Sequence, residues 1–268
     1  MSTAIYHQRY ASTQSDGALA EIILIHGWGI HGDIWDLIID DLLPYYHITI
    51  VDLPGFGRSS INSSVYSLEM LADSVLAVAP KKAIWLGWSL GGLVATQAAM
   101  IAPERVQILV NIASIPCWCA KPHWECAVSP MSLEKFQNLL ETSPEKALVQ
   151  FLSWQNKNSV SMKAEIRYVR ERAFLYGMPD IRALVGGLQI LLKTDLRAAL
   201  ENLKMPMGYW FGEQDTLIPK MVITELKKFL PTAHTEQHPQ AAHLPFISHK
   251  NWFLNTLKSW LLQMSIAS

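Results

Sequence analysis

The stretch KAIWLGWSLGGLVATQAAMI, Lys82 to Ile101, decides the fold. Its first part, Lys82 to Leu86, is a short apolar run of the kind that forms a buried strand. Its second part, Leu90 to Ile101, has helical character and stops just before Pro103. Gly87-Trp88-Ser89-Leu90-Gly91 sits at the junction and matches G-x-S-x-G. A serine on so tight a strand-to-helix turn is held in a strained conformation with its hydroxyl exposed at the end of the strand. Glycines two residues to either side keep side chains clear of the neighbouring strand and helix. The alternative reading, a serine that only caps a helix, does not require the flanking glycines.

The same rhythm extends in both directions. Glu21 to His26, His47 to Val51, Lys82 to Leu86, Val106 to Ala113 and Met207 to Phe211 read as strands, with a weaker one at His234 to His238. Helical patterns run over Asp33 to Leu43, Leu68 to Ala79, Leu90 to Ile101, Pro219 to Phe229 and Trp252 to Gln263. Strands alternating with helices, and apolar on both faces, predict an α/β protein with a mostly parallel, doubly wound sheet. Between about Ile115 and Leu188 the alternation lapses into helical patterns alone. The expected organisation is therefore an α/β-hydrolase core over residues 1–114 and 189–268, with an inserted helical cap over 115–188.

A serine hydroxyl is a weak nucleophile until a base takes its proton. In this fold the order along the chain is serine, acid, histidine. His234, His238, His243 and His249 come late enough to serve. The first two bracket the last strand and His249 sits at a helix start, whereas His243 follows the strand in the loop QAAHLPF and is the expected base. The acid belongs just past the preceding strand. Asp215 is favoured there over its loop neighbour Glu213 by its spacing. Ser89, Asp215 and His243 are thus the expected triad. An oxyanion hole needs two preorganised backbone N–H donors. Leu90 supplies one, as the residue after the nucleophile. Trp28 supplies the other, in the loop His26-Gly27-Trp28-Gly29 after the first apolar strand.

Composition narrows the alternatives. The chain has 268 residues, half of them hydrophobic and 17% charged, enough to build a large core. A net charge of −1 leaves no basic footprint for nucleic acid. No apolar run reaches the length of a membrane span, and Met1 to Gln14 lacks the pattern of a signal peptide. Only three cysteines occur, Cys117, Cys119 and Cys126, a sparse, odd set that points to a reducing, cytoplasmic setting. With His123 they spell C-x-C-x3-H-x2-C, whose ligand types suit zinc but whose spacing is irregular for a zinc module. They read as buried thiols beside Trp118 and Trp124, and no metal or cofactor is expected. A monomer is expected.

Taken together, HGWG, DLPGFGRS, KAIWLGWSLGGLVA, PERVQ-LV-AS-PC and AAH-PFISH resemble the pimeloyl-[acyl-carrier protein] methyl ester esterase family of biotin synthesis, over nearly the whole chain. The resemblance implies hydrolysis of a methyl ester that masks the distal carboxylate of a carrier-bound pimeloyl chain. It matches Ser89, Asp215 and His243 to the triad, and Trp28 and Leu90 to oxyanion and substrate contacts. It also implies that Phe151, Leu152, Ser153, Trp154 and Gln155 line the acyl site. An acyl carrier protein is acidic and needs a basic patch to dock. On a helix, Lys163, Arg167 and Arg170 share one face, and Lys146 extends it from the preceding helix. The residues alone leave open a general carboxylesterase, a carbon–carbon bond hydrolase with the same triad, or a catalytically silent binding protein on this fold.

Overall fold

A computed structural model describes residues 5–14, 20–155, 157–159 and 161–267; residues 1–4 of the stretch read for a signal peptide lie outside these. Seven strands form one sheet: β1 (His7–Tyr10), β2 (Ala20–Ile25), β3 (Tyr46–Val51), β4 (Ala83–Trp88), β5 (Val106–Ile112), β6 (Met207–Gly212) and β7 (His234–His238), in the order β1-β3-β2-β4-β5-β6-β7. β1 pairs antiparallel with β3, and every other pairing is parallel. β4, at the centre, is buried at all six positions, as is β6. That explains their uninterrupted apolar sequence, since helices cover both faces.

On the core side the helices are α1 (Asp36–Leu42), α2 (Leu68–Leu76) and α3 (Leu90–Ile101). The segment between β5 and β6 then supplies α4 (Pro130–Thr142), α5 (Pro144–Trp154), α6 (Met162–Ala173), α7 (Ile181–Lys193) and the short α8 (Arg197–Leu200). α9 (Val222–Phe229), α10 (Pro245–Ser248) and α11 (Lys250–Ala267) complete the chain. Three expected helices differ at their starts, the last of them beginning at Lys250 rather than Trp252. The one beginning at Asp33 opens as a 3-10 turn over Gly32–Trp35, and the one expected from Pro219 begins at Val222. β1 was not expected. Its residues HQRY are largely exposed, so they carry no apolar signal.

The inserted helices are tied to the core at several points. Asp180 N–H donates to Gly55 O (2.9 Å), and Trp28 Nε1 donates to Leu184 O (2.9 Å). A further link, through Tyr176, is a cluster around Arg58. Its Nε donates to Asp52 Oδ2 (2.7 Å) and its terminal nitrogens to Asp33 Oδ1 (2.6 Å) and the Tyr176 hydroxyl (3.1 Å). The guanidinium lies over the Tyr6 ring at 3.8 Å and the Tyr176 ring at 4.5 Å. Burial alone would push the Asp52 carboxyl up, but Arg58 and the N–H groups of Gly32 and Arg58 outweigh it and hold it below the usual range.

Candidate active site

The site is assembled at the C-terminal edge of the sheet, where ligands of open α/β sheets bind. Ser89 follows β4 directly and has φ 55°, ψ −119°, in the left-handed half of the map that non-glycine residues avoid. The turn is possible only because nothing protrudes beside it. A Cβ on Gly87 would run into the Gly91 carbonyl, and one on Gly91 into the carbonyls of Ile25 and His26. The serine's own carbonyl is fixed by the Ser114 hydroxyl at 2.7 Å, and its N–H donates to Ile112 O at 2.9 Å. Leu90 is the first residue of α3, so its N–H has no intrahelical partner. The positive end of the helix dipole therefore lies at the nucleophile.

The loop after β2 lies against the same serine. A Cβ on Gly27 would stand 3.0 Å from Ser89 Cβ. His26 holds this loop: its Nδ1 donates to Gly27 O (2.7 Å) and its Nε2 accepts from Leu53 N–H (2.9 Å). Burial lowers the His26 pKa to about 4, so the ring is neutral. The Trp28 indole packs edge-on against Phe151 (4.7 Å) and Phe136 (5.7 Å), making an apolar wall.

Across the site, His243 Nδ1 donates to Asp215 Oδ2 at 2.7 Å, with both side chains fully buried. The other Asp215 oxygen accepts from the N–H groups of Leu217 (2.8 Å) and Ile218 (3.1 Å). With the Nδ1 proton committed to the carboxylate, Nε2 carries the lone pair. Ser89 Oγ and His243 Nε2 are both buried and without a hydrogen-bond partner among the described residues. The rival acid Glu213 donates its N–H to His238 O, and the rival base His249 packs its ring on His238 at 3.9 Å.

The five residues of the inserted segment expected at the site divide. Phe151 packs on Trp28, and Leu152 is buried. Gln155 is fully buried, its carbonyl accepts from His243 N–H at 3.1 Å, and neither polar atom of its side chain has a partner among the described residues. The Trp154 carbonyl accepts from the Thr216 hydroxyl (2.8 Å), beside the acid. Ser153 instead turns its hydroxyl back onto Val149 O of its own helix. The basic residues Lys146, Lys163, Arg167 and Arg170 are all exposed. Lys163, Arg167 and Arg170, with Ile166 and Glu171, line a surface groove of about 460 Å³. Among the described residues no group of three or more His, Cys, Asp or Glu side chains could hold a metal, and no helix is long and apolar enough to cross a membrane. Trp88 of the elbow, and Trp118, which sequence reasoning passed over, stand beside the base. Their rings lie 5.6 and 5.9 Å from the His243 ring, and the only available signal for Trp118 was its place just past β5.

A strained serine after the central strand and a carboxylate-bound histidine from the last loop define an α/β hydrolase. Residues 21–250 match the family model described as the alpha/beta hydrolase fold. The esterase from Exiguobacterium antarcticum shares this fold with a TM-score of 0.84 at 16% identity, covering 96% of this chain and 94% of that one. The enol-lactonase from Burkholderia xenovorans does so at 0.83 and 18%, covering 96% of both. Curated relatives are more specific. A pimeloyl-[acyl-carrier protein] methyl ester esterase from Aliivibrio fischeri is 39% identical over 263 residues, 98% of this chain and 99% of that protein. Another from Citrobacter koseri is 40% identical over 236 residues, 88% and 91% of the two chains. The chain belongs to the pimeloyl-[acyl-carrier protein] methyl ester esterase family of α/β hydrolases.

Proposed function

We propose that this protein hydrolyses the methyl ester of pimeloyl-[acyl-carrier protein], releasing methanol and the free acid that enters biotin-ring assembly. The observation that carries the reading is the 2.7 Å His243–Asp215 bond beside a buried, unpartnered Ser89 hydroxyl, in a chain of this family. His243 Nε2 takes the Ser89 proton as Oγ attacks the ester carbonyl. The N–H groups of Leu90 and Trp28 hold the resulting oxyanion. Asp215 keeps the imidazole oriented and stabilises its cation without taking the proton. The imidazolium then protonates the leaving methoxide, methanol departs, and water attacks the acyl-enzyme with His243 again as base. Residues 115–188 act as a cap. Phe151, Leu152 and Trp154 present apolar surface to the pimeloyl chain, and Gln155 presents its unpartnered amide.

The carrier is held outside, on the exposed cations Lys146, Lys163, Arg167 and Arg170 of the cap, while its prosthetic arm delivers the ester inward. Mass spectrometry of methyl pimeloyl-carrier protein incubated with the enzyme tests the reading. The substrate should lose one methyl ester, and Ser89→Ala should abolish that loss. Full activity in Ser89→Ala, or an intact ester with the wild-type enzyme, would overturn it.

A further inference from the structure

The sheet order divides the site into two sides. Ser89 follows β4, whose neighbours are β2 on one side and β5 on the other. The β2 side carries the Trp28 loop with its apolar wall of Phe136 and Phe151. The other side carries the loop after β5, then Asp215 after β6 and His243 after β7. In ester cleavage the base must return its proton to the leaving oxygen, so the leaving alcohol occupies the space beside the imidazole. The acyl chain is then left to the Trp28 side.

The residue after β5 that packs on the base is Trp118. Its ring meets the His243 ring edge-on, 5.9 Å between centroids and 76° between planes, while Trp88 takes a second side of the same imidazole at 5.6 Å. Trp118 is 2% exposed, and its indole N–H has no acceptor among the described residues, so packing alone and no side-chain hydrogen bond orients the ring. The backbone behind it is fixed at three successive residues. Pro116 O accepts from Leu196 N–H (2.9 Å), Cys117 O from the Trp124 indole (2.6 Å), and Trp118 O from Val128 N–H (3.0 Å). Cys117 and Cys119 form bridges to Asp195 and Val128 within this seat. The cysteine-rich segment thus builds a rigid platform for one tryptophan.

We propose that Trp118 is a specificity-determining residue, the wall of the leaving-alcohol pocket that makes the enzyme prefer a methyl ester to esters of larger alcohols. The proposal rests on the esterase reading above. One added methylene in a fitted apolar pocket discriminates by about 10-fold or more.

The test compares methyl hexanoate with n-butyl hexanoate, which share one acyl group, by titrating the acid released. Wild-type enzyme should favour the methyl ester in kcat/KM, and Trp118→Ala should shift that ratio toward butyl by about 10-fold or more. Trp118→Phe, which keeps an aromatic filler of smaller size, should fall between the two. Each ratio is measured within one preparation, so a reduced folded fraction cancels. If Trp118→Ala does not fold, the Phe variant and Trp118→Leu decide the question by the same shift. Equal loss on both esters, with the ratio unchanged, would overturn the proposal and leave the esterase reading standing. Failure of the esterase reading shows separately, as an intact methyl ester on the carrier-bound substrate, and a wild type that turns over both hexanoate esters equally would also overturn the proposal.

Discussion

Lowering the pH below 6.5 should destabilise this protein through His26. His26 is fully buried, donates from Nδ1 to Gly27 O and accepts at Nε2 from Leu53 N–H. A second proton would have to displace the Leu53 bond and place a cation in an apolar interior. Burial therefore lowers the pKa from 6.5 to about 4, against the opposing influence of Asp52. A folded-state pKa below the unfolded one means the unfolded chain binds the extra proton first. The stabilisation is complete above pH 6.5 and is lost as the pH falls from there toward 4. At about 1.4 kcal/mol per tenfold difference in proton affinity, the whole effect is about 3 kcal/mol, with roughly 2.5 kcal/mol gone by pH 4.5. Urea denaturation of wild type and His26→Gln at pH 7.5 and 4.5 measures it, since glutamine can accept from Leu53 but does not titrate. Wild type should lose about 2.5 kcal/mol more than the variant across that interval. Identical losses in the two proteins would show that His26 does not resist protonation, and the account of the loop would be wrong.

Ser89→Ala removes a buried hydroxyl with no hydrogen-bond partner, so besides abolishing turnover it should raise stability by about 1 kcal/mol or more, a Tm increase of roughly 2–4 °C by calorimetry. Arg58→Ala strips the guanidinium from Asp52, a buried carboxylate, and should cost about 3 kcal/mol in chemical denaturation. Reversing Arg167 and Arg170 to Glu should raise KM for the carrier-bound ester by about an order of magnitude and weaken its salt dependence. The same change should leave methyl hexanoate unaffected, and equal effects on both substrates would assign those charges to the cap's structure.

How much of this was legible in the sequence follows from the range of each interaction. The elbow could be read because its pattern is local: Gly87, Ser89 and Gly91 fall within five residues, and Gly87 must clear the Gly91 carbonyl. The clash Gly91 avoids, with Ile25 and His26, is not visible in the motif. The late loops could be read because the order of serine, acid and histidine fixes where to look. β1 could not, since HQRY pairs with β3 through its backbone while its side chains face water. The ion-pair cluster was equally hidden. Arg58 joins Asp33 and Tyr176, and no pattern within DLPGFGRSS predicts partners 25 positions before and 118 after. Trp118 was read as packing beside thiols. Its relation to His243, more than a hundred residues away, exists only once β5, β6 and β7 lie side by side.

Where the unsatisfied groups lie is itself an argument about function. Folded interiors pair nearly all their buried polar atoms, because each orphan costs about 1–3 kcal/mol. Among the described residues a few such atoms are scattered, as at Trp35 and Trp85, but Ser89 Oγ, His243 Nε2, Trp118 Nε1 and both polar atoms of the Gln155 side chain lack partners at one place. His243 links them, through its contact with the Trp118 ring and its bond to the Gln155 carbonyl. Ser89, His243 and Gln155 are fully buried and Trp118 is 2% exposed, so solvent does not compensate them. A core selected for stability alone would fill such a place with apolar side chains. A site for an ester needs the reverse: a lone pair ready for a proton, a hydroxyl free to attack, and donors that find acceptors only when substrate arrives. The buried Asp215 carboxylate is the contrast. It is held by His243 and two backbone N–H groups, because its task is to keep the imidazole oriented while its neighbours react.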